Sequence, residues 1–226
     1  MDGCKENWVA VELENGRFTH ARLFNTVEQV INAFPDAKAY GIDVPISYPR
    51  FGPRLADTQA RAKLGARGRS VFDACPKWAI DLDDYEDVQR HVAKERARGR
   101  DIACPNRQSW SLRKKMKEAV LQANADRRLH EVHPEVSFWA MRGGMPVDES
   151  KRTWNGFWMR RRLLERQSIH IPDTIETGDL VGIDDVLDAA ACAWTANRIA
   201  ERKAESFPTR GDEQPDEHGR PVAIWY

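Results

Sequence analysis

Asp43 closes an apolar run, Ala39-Tyr40-Gly41-Ile42-Asp43-Val44-Pro45-Ile46, which reads as a buried strand ending where Pro45 cannot donate to a ladder. A buried carboxylate costs several kcal/mol or takes up a proton unless a cation compensates it. A turn-forming Asp ahead of Pro45 is the alternative. In residues 128–135, Arg-Leu-His-Glu-Val-His-Pro-Glu, strand periodicity places Glu131, His133 and Glu135 on one face and His130 with Val132 on the other. Zinc would want a helical His-Glu-x-x-His spacing, which is absent, and Pro134 argues against a helix at this point. Hydrogen bonds from His133 and the adjacent acids to loop backbone are a third explanation.

The segment Ile183-Asp184-Asp185-Val186-Leu187-Asp188 opens a strong helical pattern. Asp184 suits the cap, and acids in a first turn favour the positive end of the helix dipole. Asp185 and Asp188 lie three apart on one face, where Ala191 and Cys192 follow Asp188 at i+3 and i+4. A face of such small residues predicts packing against a sheet, and Asp188 then needs a buried partner, either an arginine or a metal ion. Carboxylates at strand ends and a helix N-terminus are hard oxygen ligands of the kind Mg²⁺ or Mn²⁺ prefers. Two such ions about 4 Å apart can hold an activated water and the leaving oxygen of a phosphodiester in line. Two-metal phosphodiester hydrolysis is the expected chemistry.

The elements that must position these acids follow from pattern. Residues 8–13 alternate as a strand, Asn15-Gly16 supplies a hairpin turn, and residues 17–24 return as a second strand. Thr26 with Gln29 forms a capping box for a helix carrying Val27, Val30, Ile31 and Phe34, which Pro35 ends. Residues 128–132 predict another strand, and helices are expected at about 83–98, 107–129, 155–167 and 183–204. The turn-rich tail closes on the apolar anchor Ala223-Ile224-Trp225-Tyr226.

Composition sets the bounds. The 226 residues suit one domain, with about 48–127, rich in Pro, Gly, Arg and charge, as an insertion or lid. Lys plus Arg and Asp plus Glu both number 35, so nucleic acid must be met by a local basic patch rather than by a global field. Four widely spaced cysteines give neither a zinc knuckle nor a dense disulfide framework. The opening lacks a basic and apolar leader, and no apolar stretch has the length of a membrane span. The expected setting is the cytoplasm, away from membranes.

Asp2-Gly3-Cys4-Lys5, Gly41-Ile42-Asp43-Val44-Pro45-Ile46, the run EVHPEVSFWAMRGG from Glu131 and DDVLDAAACAW from Asp184 together resemble the predicted RNase H-like nuclease family called domain of unknown function 429. Arg54-x-x-Asp57, Arg69-Ser70-Val71-Phe72, Gln108-x-Trp110, Ser150-Lys151-Arg152-Thr153 and the closing Ala223-Ile224-Trp225-Tyr226 extend the resemblance over nearly the whole chain. It implies an α/β RNase H-like fold: a mixed five-stranded sheet, its first three strands antiparallel, flanked by helices. It also implies catalytic roles for Asp2, Asp43, Glu131 and Asp185 or Asp188, with Asp2, Asp43, Glu131 and Asp185 as metal ligands. In the family the first strand precedes Asp2 and needs about four residues at the usual strand rise, where this sequence has Met1 alone, so the expectation is either a true start upstream or a weakened site. Glu6-Asn7 stands where the family tends to have Gly-Gly.

Lys151, Arg152, Arg69 and His133 are the candidates to steady a substrate phosphate. The basic segments 90–100, 113–117 and 160–162, with Trp110, Trp154 and Trp158, offer a groove for nucleic acid; solvated helix faces and core tryptophans are the alternative. Two other functions compete with the nuclease. One is an ATPase-like nucleotide binder, although no Gly-rich phosphate loop follows Asp2 or Asp43. The other is a non-catalytic scaffold that kept the fold.

Overall fold

The computed structural model describes residues 1–49 and 53–226. Strand β1 (Asp2–Cys4) pairs antiparallel with β2 (Asn7–Glu14), Asp2 lying opposite Val9. β2 pairs antiparallel with β3 (Arg17–Phe24). The tight turn between them is made by Asn15 and Gly16, both at positive φ (51° and 76°), the backbone sign that a two-residue hairpin needs and that Asn-Gly supplies at little cost. Helix α1 (Val27–Ala33) starts as its sequence demands, the Thr26 side chain accepting from the Gln29 N–H.

β4 (Tyr40–Ile42) pairs parallel with β5 (Leu129–Glu131). The five strands expected in one ladder are thus found as a three-stranded and a two-stranded piece. The pieces meet at Met1: its amino group donates to Gly41 O (2.6 Å) and its carbonyl accepts from Asp43 N–H (3.0 Å). One residue bonded to the carbonyl before and the amide after its neighbour is the parallel pairing pattern.

Both faces of β2 are buried, and its alternation feeds two cores. Trp8 and Ala10 join Val27, Val30, Tyr40, Ile42 and Met116 on one side; Val9 and Val11 join Leu163, Leu164, Leu187 and Ala190 on the other. Each fully buried large side chain of this kind contributes about 1.5–3 kcal/mol. Helix α5 (Arg113–Ala125) supplies Met116, Ala119, Val120 and Ala123 to the first core. It lies within the expected insertion, with α2 (Leu55–Leu64), α3 (Tyr85–Ala97) and α4 (Arg107–Ser111) before it. Residues 50–52 of that segment lie outside the described residues. The single helix expected over 107–129 is two, broken at Leu112.

Pro134, expected to bar a helix, starts one: α6 (Pro134–Met141) carries it at its first turn. The missing N–H is no loss there, because first-turn amides have no partner inside the helix. Strand periodicity therefore stops at Glu131, and Glu135 belongs to the helix. Helices α7 (Trp154–Arg166) and α8 (Ile183–Ala200) follow; α8 lies across β1, β2 and β4. The tail adds β6 (Ser206–Phe207), β7 (Gln214–Pro215), β8 (Pro221–Val222) and β9 (Ile224–Trp225). Its anchor Ala223, Ile224 and Tyr226 is buried, the last two packing with Ala56, Ala60 and Val136. Among the described residues, no helix is long and apolar enough to cross a membrane.

Candidate functional site

Three elements deliver one carboxylate each to a single point. Asp2 stands on β1, where its Oδ1 accepts from the Gly3 N–H (2.7 Å). Asp43 follows β4, its own N–H tied to Met1 O. Asp188 comes from the second turn of α8, on the small-residue face that also carries Ala191 and Cys192. One oxygen of each lies within 4.8 Å of the others, and Asp2 and Asp188 are buried. Gly41 makes this approach possible: a Cβ there would stand 2.3 Å from the Cys192 carbonyl oxygen, so only glycine lets β4 run this close to α8.

Burial raises all three acids, and repulsion within the trio adds to it at Asp2 and Asp188. Loss of solvation lifts the Asp2 carboxyl well above its ordinary range, with the charges of Asp43 and Asp188 adding to it. Burial likewise lifts Asp43, against the pull of His133 and Lys151. It pushes Asp188 up to about 7, Lys151 opposing and Asp43 reinforcing. The Lys151 ammonium donates to Asp188 Oδ2 and stands 3.4 Å from Asp184 Oδ2. Burial disfavours that ammonium, but Asp188 outweighs burial and holds its pKa above the usual lysine value. Among the described residues, none bonds the buried Asp188 Oδ1.

The other sequence-selected residues are placed differently. Glu131 turns to Arg54, which donates to both its oxygens (2.5 and 2.8 Å) while also pairing with Asp57 (2.5 Å); all three side chains are buried. The Ile46 N–H completes the set around Glu131 at 3.1 Å. Asp185 Oδ2 accepts from the Gly182 N–H (3.1 Å), reaching back as the third residue of α8 to its N-cap Gly182, so Asp184 is not the cap. Glu135 is held by two bonds from the fully buried Arg160, both 2.8 Å. His133 Nε2 faces Ser70 O at 3.2 Å, and its Nδ1 is buried without a partner. Arg69 and Arg152 are exposed. Arg54 was legible only as half of an Arg-x-x-Asp pair, and Arg160 only as one of three consecutive arginines.

A cavity of about 150 Å³ opens beside Asp2 and Asp43 and is bounded further by Arg54, Lys115, Glu131 and His133. Asp188 and Lys151 do not line it. The three-carboxylate set fits a hard divalent cation on two counts: its donors are all oxygen, and Asp188 carries a buried oxygen with no hydrogen-bond partner among the described residues. Like-charged carboxylates this close cannot all stay ionised without a compensating cation.

These features define an α/β protein with a buried carboxylate cluster between strand ends and a helix. The chain belongs to the family described as Protein of unknown function (DUF429), whose model matches residues 1–213. No curated protein and no solved structure matches it.

Proposed function

We propose that the protein is a metal-dependent phosphodiester hydrolase, a nuclease of RNase H-like fold, whose site is Asp2, Asp43 and Asp188. The observation that carries this reading is the convergence of three carboxylates from β1, β4 and α8 within 4.8 Å. Support for the fold comes from the strand arrangement: β3, β2 and β1 antiparallel, then β4 and β5 parallel, with Met1 bridging β1 and β4.

Asp2, Asp43 and Asp188 would hold Mg²⁺ or Mn²⁺. When bound, such an ion supplies Lewis-acid activation of a phosphoryl oxygen and a water acidic enough to ionise near neutral pH. The protein's own part is to keep the acids fixed and dry. Gly41 sets the β4–α8 spacing, Met1 ties Asp43 to β1, and the cavity beside Asp2 and Asp43 gives a phosphate its approach. Lys115 borders that approach with an ammonium for its oxygens, and His133 lines its wall.

The partner proposed is nucleic acid, met by a local surface. Trp154 is 75% exposed just after Lys151 and Arg152, edge-on to Trp158, with Arg162 beside them. Aromatic faces flanked by cations stack bases with little regard to sequence.

Calorimetric titration of Mn²⁺ and Mg²⁺ into the protein and into Asp43→Asn tests the reading. Binding lost in the variant is expected, followed by Mn²⁺-dependent cleavage in a screen of single-stranded, duplex and hybrid nucleic acids. Absence of binding by either protein would end it.

A further inference from the structure

We propose that the site takes one divalent ion per chain, the Lys151 ammonium filling the place a second ion would occupy. This rests on the metal-dependent reading above and deepens it. Asp188 divides its two oxygens: Oδ2 receives Lys151, and Oδ1 is buried with no partner among the described residues. A buried carboxylate oxygen without a donor is costly, and an ion shared with Asp2 and Asp43 is the partner it lacks. Oδ2 needs no ion, because it already has a cation.

Charge leads to the same count. Three carboxylates and one ammonium leave two negative charges, which one divalent ion cancels. A second ion in the ammonium's place would leave the buried cluster net positive unless further carboxylates joined it. The nearby acids are engaged elsewhere: Glu131 by Arg54, Glu135 by Arg160, Asp185 by the Gly182 N–H, and Asp184 by Lys151 itself. Position also separates the two cations. Asp2 and Asp43 line the cavity through which a substrate arrives, whereas Asp188 and Lys151 do not. The ion therefore belongs on the cavity side and the ammonium behind it, at a side chain 30% exposed.

The test is Mn²⁺ titration, by calorimetry, of the full chain beside Lys151→Met and Lys151→Arg. The expected result is one equivalent for the unaltered protein and for Lys151→Arg, which keeps the charge. Lys151→Met should take up a second equivalent or bind the first at least tenfold more tightly, because a competing cation is gone. Two equivalents in the unaltered protein would overturn the proposal. So would a Lys151→Met protein with unchanged count and affinity, or a Lys151→Arg protein that behaves like it. Should Lys151→Met fail to fold, Lys151→Gln carries the same comparison. Absence of Mn²⁺ binding by every form is a separate result, since it removes the metal-dependent reading and this inference with it.

Discussion

Gly41 and Cys192 are in backbone contact: β4 crosses α8 so closely that a Cβ on Gly41 would meet the Cys192 carbonyl oxygen at 2.3 Å and the carbonyl carbon at 3.0 Å. Two residues beyond Gly41 comes Asp43, and one helical turn before Cys192 comes Asp188. The contact therefore sets the distance between two of the three carboxylates. Helix backbone cannot yield as a flexible side chain can, so Gly41→Ala must push β4 and α8 apart. We expect it to lower stability by about 1–3 kcal/mol, the range for forced overpacking. Mn²⁺ affinity should fall with it, although no carboxylate is altered. Urea unfolding and calorimetry read the two effects, and an alanine variant with normal Mn²⁺ affinity would break the proposed link.

Arg54 is the buried cation between Asp57 and Glu131. Its removal leaves two buried acids without their counter-ion, and breaking such a network by deleting one partner costs about 3–5 kcal/mol. Arg54→Met is expected to lose that much in denaturant unfolding. Glu131→Gln should also destabilise the fold, while one equivalent of Mn²⁺ still binds to Asp2, Asp43 and Asp188. Loss of Mn²⁺ binding in a folded Glu131→Gln protein would show instead that Glu131 is a ligand.

What the sequence disclosed depended on how local the cause was. Asn15-Gly16 fixes its own hairpin, and Thr26 caps its own helix. Asp43 and Asp188 stood out because each interrupts an apolar or small-residue pattern, which is visible within a few residues. Partners were not visible. Arg54 meets Glu131 across 77 positions and Lys151 meets Asp188 across 37, so nothing near either acid told which would join the carboxylate cluster and which would pair with an arginine. Pro134 misled because proline suits the end of a strand and the first turn of a helix equally. Asp185 reaches back to the N–H of Gly182, a glycine N-cap that has no side chain to mark it, whereas Asp184 has the side chain a cap usually needs.

Trp154 offers a test of the proposed partner that leaves the carboxylates alone. Its side chain is mostly in solvent, so Trp154→Ala should leave thermal stability nearly unchanged. If bases stack on it, affinity for a fluorescent single-stranded oligonucleotide, measured in Ca²⁺ to limit turnover, should fall by about 1–3 kcal/mol. Equal affinity of the two proteins would remove Trp154 from the nucleic-acid surface.

Asp188 predicts a pH dependence whose sign can be worked out. Burial raises its carboxyl from the ordinary 3.8 to about 7, so the folded chain holds this proton more tightly than the unfolded chain does. Its contribution to stability is complete below about pH 4 and is lost as pH rises through about 7. His130 acts the other way: burial and Arg220 lower it from 6.5 to about 4, and its contribution, present above about pH 6.5, is lost as pH falls toward 4. The two offset each other in the unaltered protein, and the Asp188 part is isolated only by comparison with Asp188→Asn. In EDTA at pH 8 the asparagine variant should be the more stable protein, by about 1–3 kcal/mol on the scale of a desolvated carboxylate. The gap should close as pH falls to 5. Adding Mn²⁺ at pH 8 should reverse the order, because ligand at a hundred times its Kd contributes about 2.7 kcal/mol to a protein that binds it. A gap that stays constant from pH 8 to pH 5 would mean that Asp188 is ionised in the folded chain throughout, with Lys151 alone compensating it.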